Sequence, residues 1–353
     1  VDDGVVAVDD NLVGSETTAH SLHASNPSTS GTGQGVTGIL SNCANVLSVQ
    51  GNVVANLTNA YVAAGTAGYT RGIVTTSGTN TIVGNTVRDF LTSSGSTASG
   101  VNAAVLGIAQ TSTGGGTQTV SQNVVHSLAD TASGASPHAV GFYYSGASFG
   151  SHLVSRNIVH SLGLSTDSTT ASITGIQAAS GAATYRNNMV RLGIDAAGDT
   201  ITAAMPVTGI LKASSSDCSF HFNSVWIGGS GVGDTATNTY AFRRTATGVD
   251  DVRDNIFSNV RENDDSGGIH FAMVLNEPTT VTSDHNLYWT ATGVDLWSLD
   301  GGATTLSDIR TLRFASGYGQ DANSGVGEPN FAAPSGPAST VSLRLADPTP
   351  AEG

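Results

Sequence analysis

The chain has 353 residues, a formal net charge of −14 and a single lysine, Lys212, among its thirteen basic residues. Nucleic acids and anionic membrane surfaces bind clustered cations, so this balance argues against both as partners. Charged residues make up only 11% of the chain and hydrophobic residues 39%. No run of 18 apolar residues occurs, which predicts no membrane insertion.

Two markers repeat along the chain in phase with each other. A small residue followed by a large apolar one recurs every 31 to 35 residues, at Gly38, Gly72, Gly107, Gly141, Gly175, Gly209, Ala241 and Ala272. An asparagine follows each marker by 13 to 16 residues, at Asn52, Asn85, Asn123, Asn157, Asn188, Asn223, Asn255 and Asn286. A fixed period of this length indicates a solenoid, in which each repeat packs only on its neighbours.

The residues around each asparagine have the short-range alternation of half-buried strands rather than a helical period. Two positions after it, all eight residues are apolar, and three positions before it seven of eight are. We therefore predict an all-β fold, a right-handed parallel β-helix of about eight to nine coils. Two other repeat folds fit less well. A leucine-rich repeat needs a leucine scaffold that this sequence lacks, and a propeller blade needs four strands in 40 or more residues.

We interpret the asparagine column as a structural ladder. Asparagine tolerates left-handed backbone geometry, so it predicts a bend between two strands. Its amide both donates and accepts, so identical residues stacked coil over coil can bond to one another.

The ends depart from the repeat. We assign residues 1–34 to an irregular N-terminal coil or cap, 35–290 to the repeats, and 291–353 to a closing coil and capping segment. A capping-box pattern that begins at Thr305 predicts a short helix through Arg313.

The two cysteines fit neither a disulfide framework nor a Cys-x-x-Cys site. Cys43 and Cys218 lie five coils apart in the repeat, about 24 Å along the axis. A disulfide requires Cα atoms within about 7 Å. We expect no bridge and two buried thiols.

Segments 155–164, 184–195, 223–233, 253–259 and 285–289 resemble the right-handed parallel β-helix repeats of large bacterial secreted and cell-surface proteins. Segments 319–331 and 341–353 resemble the closing part of such domains. The resemblance covers roughly residues 35 to 350 and implies an extracellular or cell-surface location, but it says little about activity. The acidic, lysine-poor, Ser/Thr/Gly-rich composition favours the same location. The first residue is Val1, which we interpret as the start of a processed protein or of a piece of a longer one.

Glycoside cleavage needs carboxylates that converge on one face. Acidic pairs occur in sequence, but adjacent strand residues point to opposite faces, so such a pair does not converge. The His-Gly and Arg-x-Lys motifs of polygalacturonases are absent. We expect no catalytic centre and no cofactor, although calcium remains compatible with the acidic loops around Asp250 and Asp264.

The column three positions after each asparagine should point outward, because the residue before it is uniformly apolar. It comprises Ala55, Arg88, His126, His160, Arg191, Trp226, Ser258 and Trp289. Aromatic rings beside cationic donors suit sugars, so His160, Arg191, Trp226 and Trp289 are the candidate ligand-binding residues. The alternative is that loops or the C-terminal segment cover these tryptophans.

We therefore expect a non-enzymatic, extracellular structural or adhesive rod, as a surface-protein stalk or a subunit of an extracellular assembly. Carbohydrate, other surface proteins or further copies of the chain are compatible partners. The alternative function is a carbohydrate-binding or polysaccharide-degrading β-helix protein.

Overall fold

The computed structural model describes residues 4–24, 33–62, 68–276, 280–291, 297–299, 304–306 and 321–346. Within them the chain forms a parallel β-helix of about eight turns, which confirms the predicted fold class. Three sheets run along the solenoid, and the chain visits them in the order A, B, C in each coil.

Sheet A precedes the asparagine and contains β1 (Val5–Asp9), β5 (Val46–Gln50), β9 (Thr79–Val83), β12 (Thr119–Ser121), β15 (Leu153–Ser155), β18 (Ala183–Arg186), β21 (Cys218–His221), β24 (Asp250–Arg253) and β27 (Val281–Asp284). Sheet B follows it and contains β2 (Leu12–Gly14), β3 (Leu22–Ala24), β6 (Val53–Ala55), β7 (Leu57–Asn59), β10 (Thr86–Thr92), β13 (Val124–Asp130), β16 (Ile158–Leu164), β19 (Met189–Leu192), β22 (Ser224–Ile227), β25 (Ile256–Asn259), β28 (Leu287–Thr290) and β31 (Gly325–Val326). Sheet C carries the Gly/Ala marker and contains β4 (Gly35–Ser41), β8 (Tyr69–Thr75), β11 (Val105–Gln110), β14 (His138–Ser145), β17 (Ser172–Ser180), β20 (Val207–Lys212), β23 (Thr239–Arg244), β26 (His270–Leu275), β29 (Trp297–Leu299) and β30 (Thr304–Leu306).

The C-terminal end breaks the parallel pattern. Strand β30 pairs antiparallel with β29, and β32 (Phe331–Ala333) pairs antiparallel with β33 (Ser342–Leu345) in a separate hairpin. Helical structure in the described ranges is limited to 3₁₀ turns at Gly100–Asn102 and Ala338–Thr340 and to Thr280. No helix in these ranges is long and apolar enough to span a bilayer. The predicted helix is wrong at its start, because Thr305 lies in strand β30, and its remainder falls outside the described residues.

The two apolar columns predicted beside the asparagine fill the lumen of the solenoid. They stack in register from coil to coil in sheets A and B. Both belong to one continuous buried cluster, in which Val125, Val190 and Tyr185 are almost fully buried. The glycine marker lies opposite: a Cβ built on Gly107 would come within 2.5 Å of the Val125 side chain. Glycine recurs there because sheet C approaches sheet B too closely for a side chain.

The asparagine ladder is confirmed. In each coil the backbone N–H and the Nδ2 group of one asparagine both donate to Oδ1 of the next, as Asn123 does to Asn157 at 3.0 Å for each bond. Nδ2 also donates to a sheet A carbonyl of the preceding coil, which for Asn157 is that of Val120. The structure extends the ladder at both ends, because Asn11 donates to Asn52 and the Asn286 N–H donates to Ser324.

The left-handed conformation was predicted at the wrong residue. Positive φ angles occur one position earlier, at Gly51, Gly84, Gln122, Arg156, Asn187, Phe222, Asp254 and His285. These residues are exposed, whereas the ladder asparagines are buried. The bend therefore places a solvent-facing residue of any type in the strained position, and the asparagine keeps its amide inside the corner.

The cysteine prediction is confirmed in its main part. Cys43 and Cys218 are both free thiols, but only Cys218 is buried, and Cys43 is partly exposed.

The first prediction concerns one rung of the ladder. Asn157→Ala removes four side-chain hydrogen bonds, and the buried backbone N–H of Asn123 loses its acceptor. We expect the free energy of unfolding to fall by about 1–3 kcal/mol. The control is Asn102→Ala, which removes one exposed bond with Arg71. Equal urea midpoints for the two variants would contradict the ladder's role in stability.

The second prediction concerns a buried carboxyl group. Asp130 is fully buried, and its Oδ2 has no hydrogen-bond partner. Burial raises the pKa of this group to about 7, despite backbone hydrogen bonds from Ala132 and Ser94 that lower it. Between about pH 4 and pH 7 the unfolded chain releases this proton and the folded chain retains it, so stability falls as pH rises.

The loss over that window is about 4 kcal/mol, from roughly three units at 1.4 kcal/mol each. Asp130→Asn should remove this part of the pH dependence, which urea denaturation at pH 4, 6 and 8 would measure. Asp167→Asn, at an exposed position, is the matched control. An unchanged pH profile for Asp130→Asn would show that the group does not titrate in this range.

Candidate functional site

The column three positions after each asparagine stacks in register on sheet B, from Arg88 through His126, His160, Arg191, Trp226 and Ser258 to Trp289. Its side chains leave the lumen, since the preceding residues in each strand belong to the central core. Trp226 belongs instead to a separate cluster on the outside of sheet B.

The C-terminal segment lies over this column. Residues 327–346, here called the strap, run from the last coil back along sheet B and return through the β32–β33 hairpin. Phe331 and Leu343 of the strap pack in one cluster with Trp226. As a result Trp226 is 8% exposed and Arg191 fully buried, whereas Trp289 stays partly exposed. The covering expected as the alternative is therefore present over Arg191 and Trp226.

Arg191 anchors the strap. Its guanidinium donates to the carbonyl oxygens of Pro334 and Gly336 in the strap, and to the Ser161 hydroxyl and the Ile194 carbonyl on the coil. These partners are all neutral, and burial lowers the pKa of Arg191 to about 10. The planar guanidinium thus joins the strap to two coils through backbone carbonyls, a role that its several fixed donors suit.

A second buried arginine holds the loop beside the strap. Arg261 donates to the carbonyl oxygens of Ile201 and Ala203 in the long loop that follows Leu192, and to that of Gly228. Burial lowers the pKa of Arg261 to about 10. The sequence did not single out Arg261, because no local pattern distinguishes it from the exposed arginines.

The two histidines of the column form a neutral stack. The His126 and His160 rings are parallel, with centroids 4.8 Å apart, and each Nδ1 bonds to the hydroxyl of the serine that follows it. Burial lowers the pKa of His160 to about 3, aided by His126 and Arg191. His160 is therefore uncharged at neutral pH and a weak general base.

The strap leaves two clefts, and these separate the four candidate residues into pairs. One, of about 470 Å³, lies between Trp226, Trp289 and the strap residues Glu328 and Asn330. The other, of about 310 Å³, is lined by His160, Arg191 and strap residues around Leu343. The two tryptophans thus do not share a site with His160 and Arg191. Ser258 lies between the two tryptophans in the first cleft, and its buried hydroxyl has no hydrogen-bond partner.

Charged residues that the sequence left scattered meet inside the solenoid. Lys212 Nζ lies 3.0 Å and Arg244 Nε 2.6 Å from the Asp250 carboxylate, and all three side chains are fully buried. The neighbouring Asp251 points outward to His221 and Arg253. The expectation that adjacent acidic residues diverge is confirmed at this pair. Lys212 and Arg244 end strands of sheet C, and Asp250 begins a strand of sheet A. The sequence alone did not predict that these strand ends meet.

Metal ligands do not cluster in the part of the chain that the structure describes: no three His, Cys, Asp or Glu side chains come together there. Asp250 is buried and engaged by its two cations, whereas Asp264 is exposed. Calcium binding there stays a prediction.

Comparison of the chain with protein-family models, curated proteins and solved structures finds no match. The resemblance to bacterial surface-protein repeats is therefore supported at the level of the β-solenoid and no further.

The third prediction tests the strap anchor. Arg191→Met removes the bonds to Pro334 and Gly336, so the strap should separate from sheet B more often and expose Trp226. We expect increased acrylamide quenching of tryptophan fluorescence and faster amide exchange in residues 331–345. Arg156→Met, at an exposed turn position, is the matched control. Unchanged exchange in the strap would show that Arg191 is not its anchor.

Proposed function

We propose that this protein is a non-enzymatic structural or adhesive rod that works outside the cell. The observation that carries the proposal is the ladder, which continues through ten successive positions from Asn11 to Ser324. Throughout the described coils the recurring buried polar groups bond to copies of themselves. A fold built in this way provides length and stiffness, with each coil supporting the next.

The outer face supports the non-enzymatic part of the proposal. The cationic and imidazole groups that recur on sheet B are occupied, since Arg191 bonds to carbonyl oxygens and His160 stacks on His126 in its neutral form. General acid–base catalysis needs groups whose pKa lies near the working pH. The polysaccharide-degrading alternative therefore gains no support from these residues.

The charge of the chain supports the extracellular part and the choice of partners. A net charge of −14 with one lysine, itself buried beside Asp250, offers little to nucleic acids. Such a surface is suited to solubility at a cell exterior, with surface carbohydrate, surface proteins or further copies as partners.

The fourth prediction tests rod against enzyme. Electron micrographs of the purified chain should show short rods of uniform width. Incubation with neutral and acidic polysaccharides should release neither new reducing ends nor unsaturated products. Cleavage of any substrate would overturn the non-enzymatic assignment, and His160→Ala would then show whether the column carries the activity.

A further inference from the structure

We infer that the cleft between Trp226, Trp289 and the strap, here called the tryptophan cleft, binds a short neutral saccharide. This inference gives the adhesive part of the proposed function its ligand class and rests on that function for its biological setting. The cleft of about 470 Å³ falls within the range of small-molecule sites, roughly 300–1,000 Å³.

The walls of the tryptophan cleft are aromatic and held in place. Trp226 and Trp289 belong to one outward column and are separated by a single strand, which places them about 10 Å apart along the axis. Trp226 packs against Phe331, and a Cβ on Gly228 would lie only 1.9 Å from its ring. Trp289 keeps a partly exposed indole ring that suits the CH face of a sugar ring, and the buried Trp226 supports the wall beside it.

The floor of the cleft carries an unused polar group. Ser258 stands between the two tryptophans, is fully buried, and its hydroxyl has no hydrogen-bond partner. A buried hydroxyl without a partner costs free energy, and a ligand hydroxyl recovers it if an indole ring beside Ser258 moves aside on binding. Glu328, at the exposed rim of the strap, supplies a carboxylate that accepts hydrogen bonds from sugar hydroxyls.

The charge of the cleft selects among sugars. Its lining contains Glu328 and no Lys, Arg or His among the described residues. The nearest basic residues of the column, His160 and Arg191, line the other cleft, where His160 is neutral and Arg191 is bound to the strap. A uronic acid would bring its carboxylate beside Glu328 without a counter-charge, in a protein of net charge −14. Neutral sugars are therefore the class that fits.

The test is a titration of the full chain with neutral oligosaccharides of the cello, xylo, malto and chito series and with oligogalacturonides. Tryptophan fluorescence and the indole N–H signals in NMR spectra report binding. We expect saturable binding of at least one neutral series and weaker binding of oligogalacturonides. Trp289→Ala should weaken it at least tenfold, and Ser258→Ala several-fold. Phe222→Ala, which removes an exposed aromatic outside the cleft, should leave it unchanged.

Three outcomes would overturn the inference: no saturable binding in any neutral series, equal affinity in wild type and Trp289→Ala, or tighter binding of oligogalacturonides. Urea midpoints show whether each variant is folded. If Trp289→Ala does not fold, the binding measured for Ser258→Ala decides the test. These outcomes leave the rod itself untouched. Product release from polysaccharides, in contrast, would overturn the proposed function and leave the binding result standing.

Discussion

The structure depends on one interaction, the hydrogen bond from the amide of one asparagine to the amide oxygen of its counterpart in the next coil. Each oxygen accepts from both the backbone and the side chain of the preceding asparagine, so a slip of one residue in either coil would break two buried bonds at once. The ladder therefore fixes the register of sheets A and B. The apolar columns on either side then stack in phase, and the lumen closes around them.

With register fixed at the corner, the outer face of sheet B can vary without loss of the fold. The column three positions after the asparagine contains alanine, arginine, histidine, serine and tryptophan, all on equivalent backbone. The long loop that follows Leu192 begins beside this column, and the strap crosses it. The two buried arginines show how such additions are held: Arg191 and Arg261 bond to backbone carbonyl oxygens of the strap and of the long loop, so these contacts place little restriction on the side chains of either segment.

Local periodicity determined what could be predicted from the sequence. The Gly/Ala and asparagine markers repeat eight times, and the two apolar columns hold at eight and at seven of these positions, so their stacking followed from strand geometry. The contact of Arg191 with Gly336 spans 145 residues, and no repeat in the sequence predicts it. The same holds for Lys212, Arg244 and Asp250, which meet across the corner between sheets C and A. The positive φ angle was assigned to the asparagine because of its propensity, but the exposed residue before it takes that geometry and the asparagine must point inward. The tryptophans were placed correctly on the outer face, yet their separation from His160 and Arg191 depends on the strap.

The ladder also gives the solenoid a direction. Every bond between two ladder asparagines runs from the N–H groups of one residue to Oδ1 of the next toward the C-terminal end, so the dipoles of these bonds add head to tail. Hydrogen bonds aligned in this way polarise one another. The two ends of the molecule consequently differ in chemistry, since one begins with the amide of Asn11 and the other terminates in the hydroxyl of Ser324. The rod is therefore polar along its axis. A surface that holds it by one end presents the clefts of sheet B in one fixed orientation.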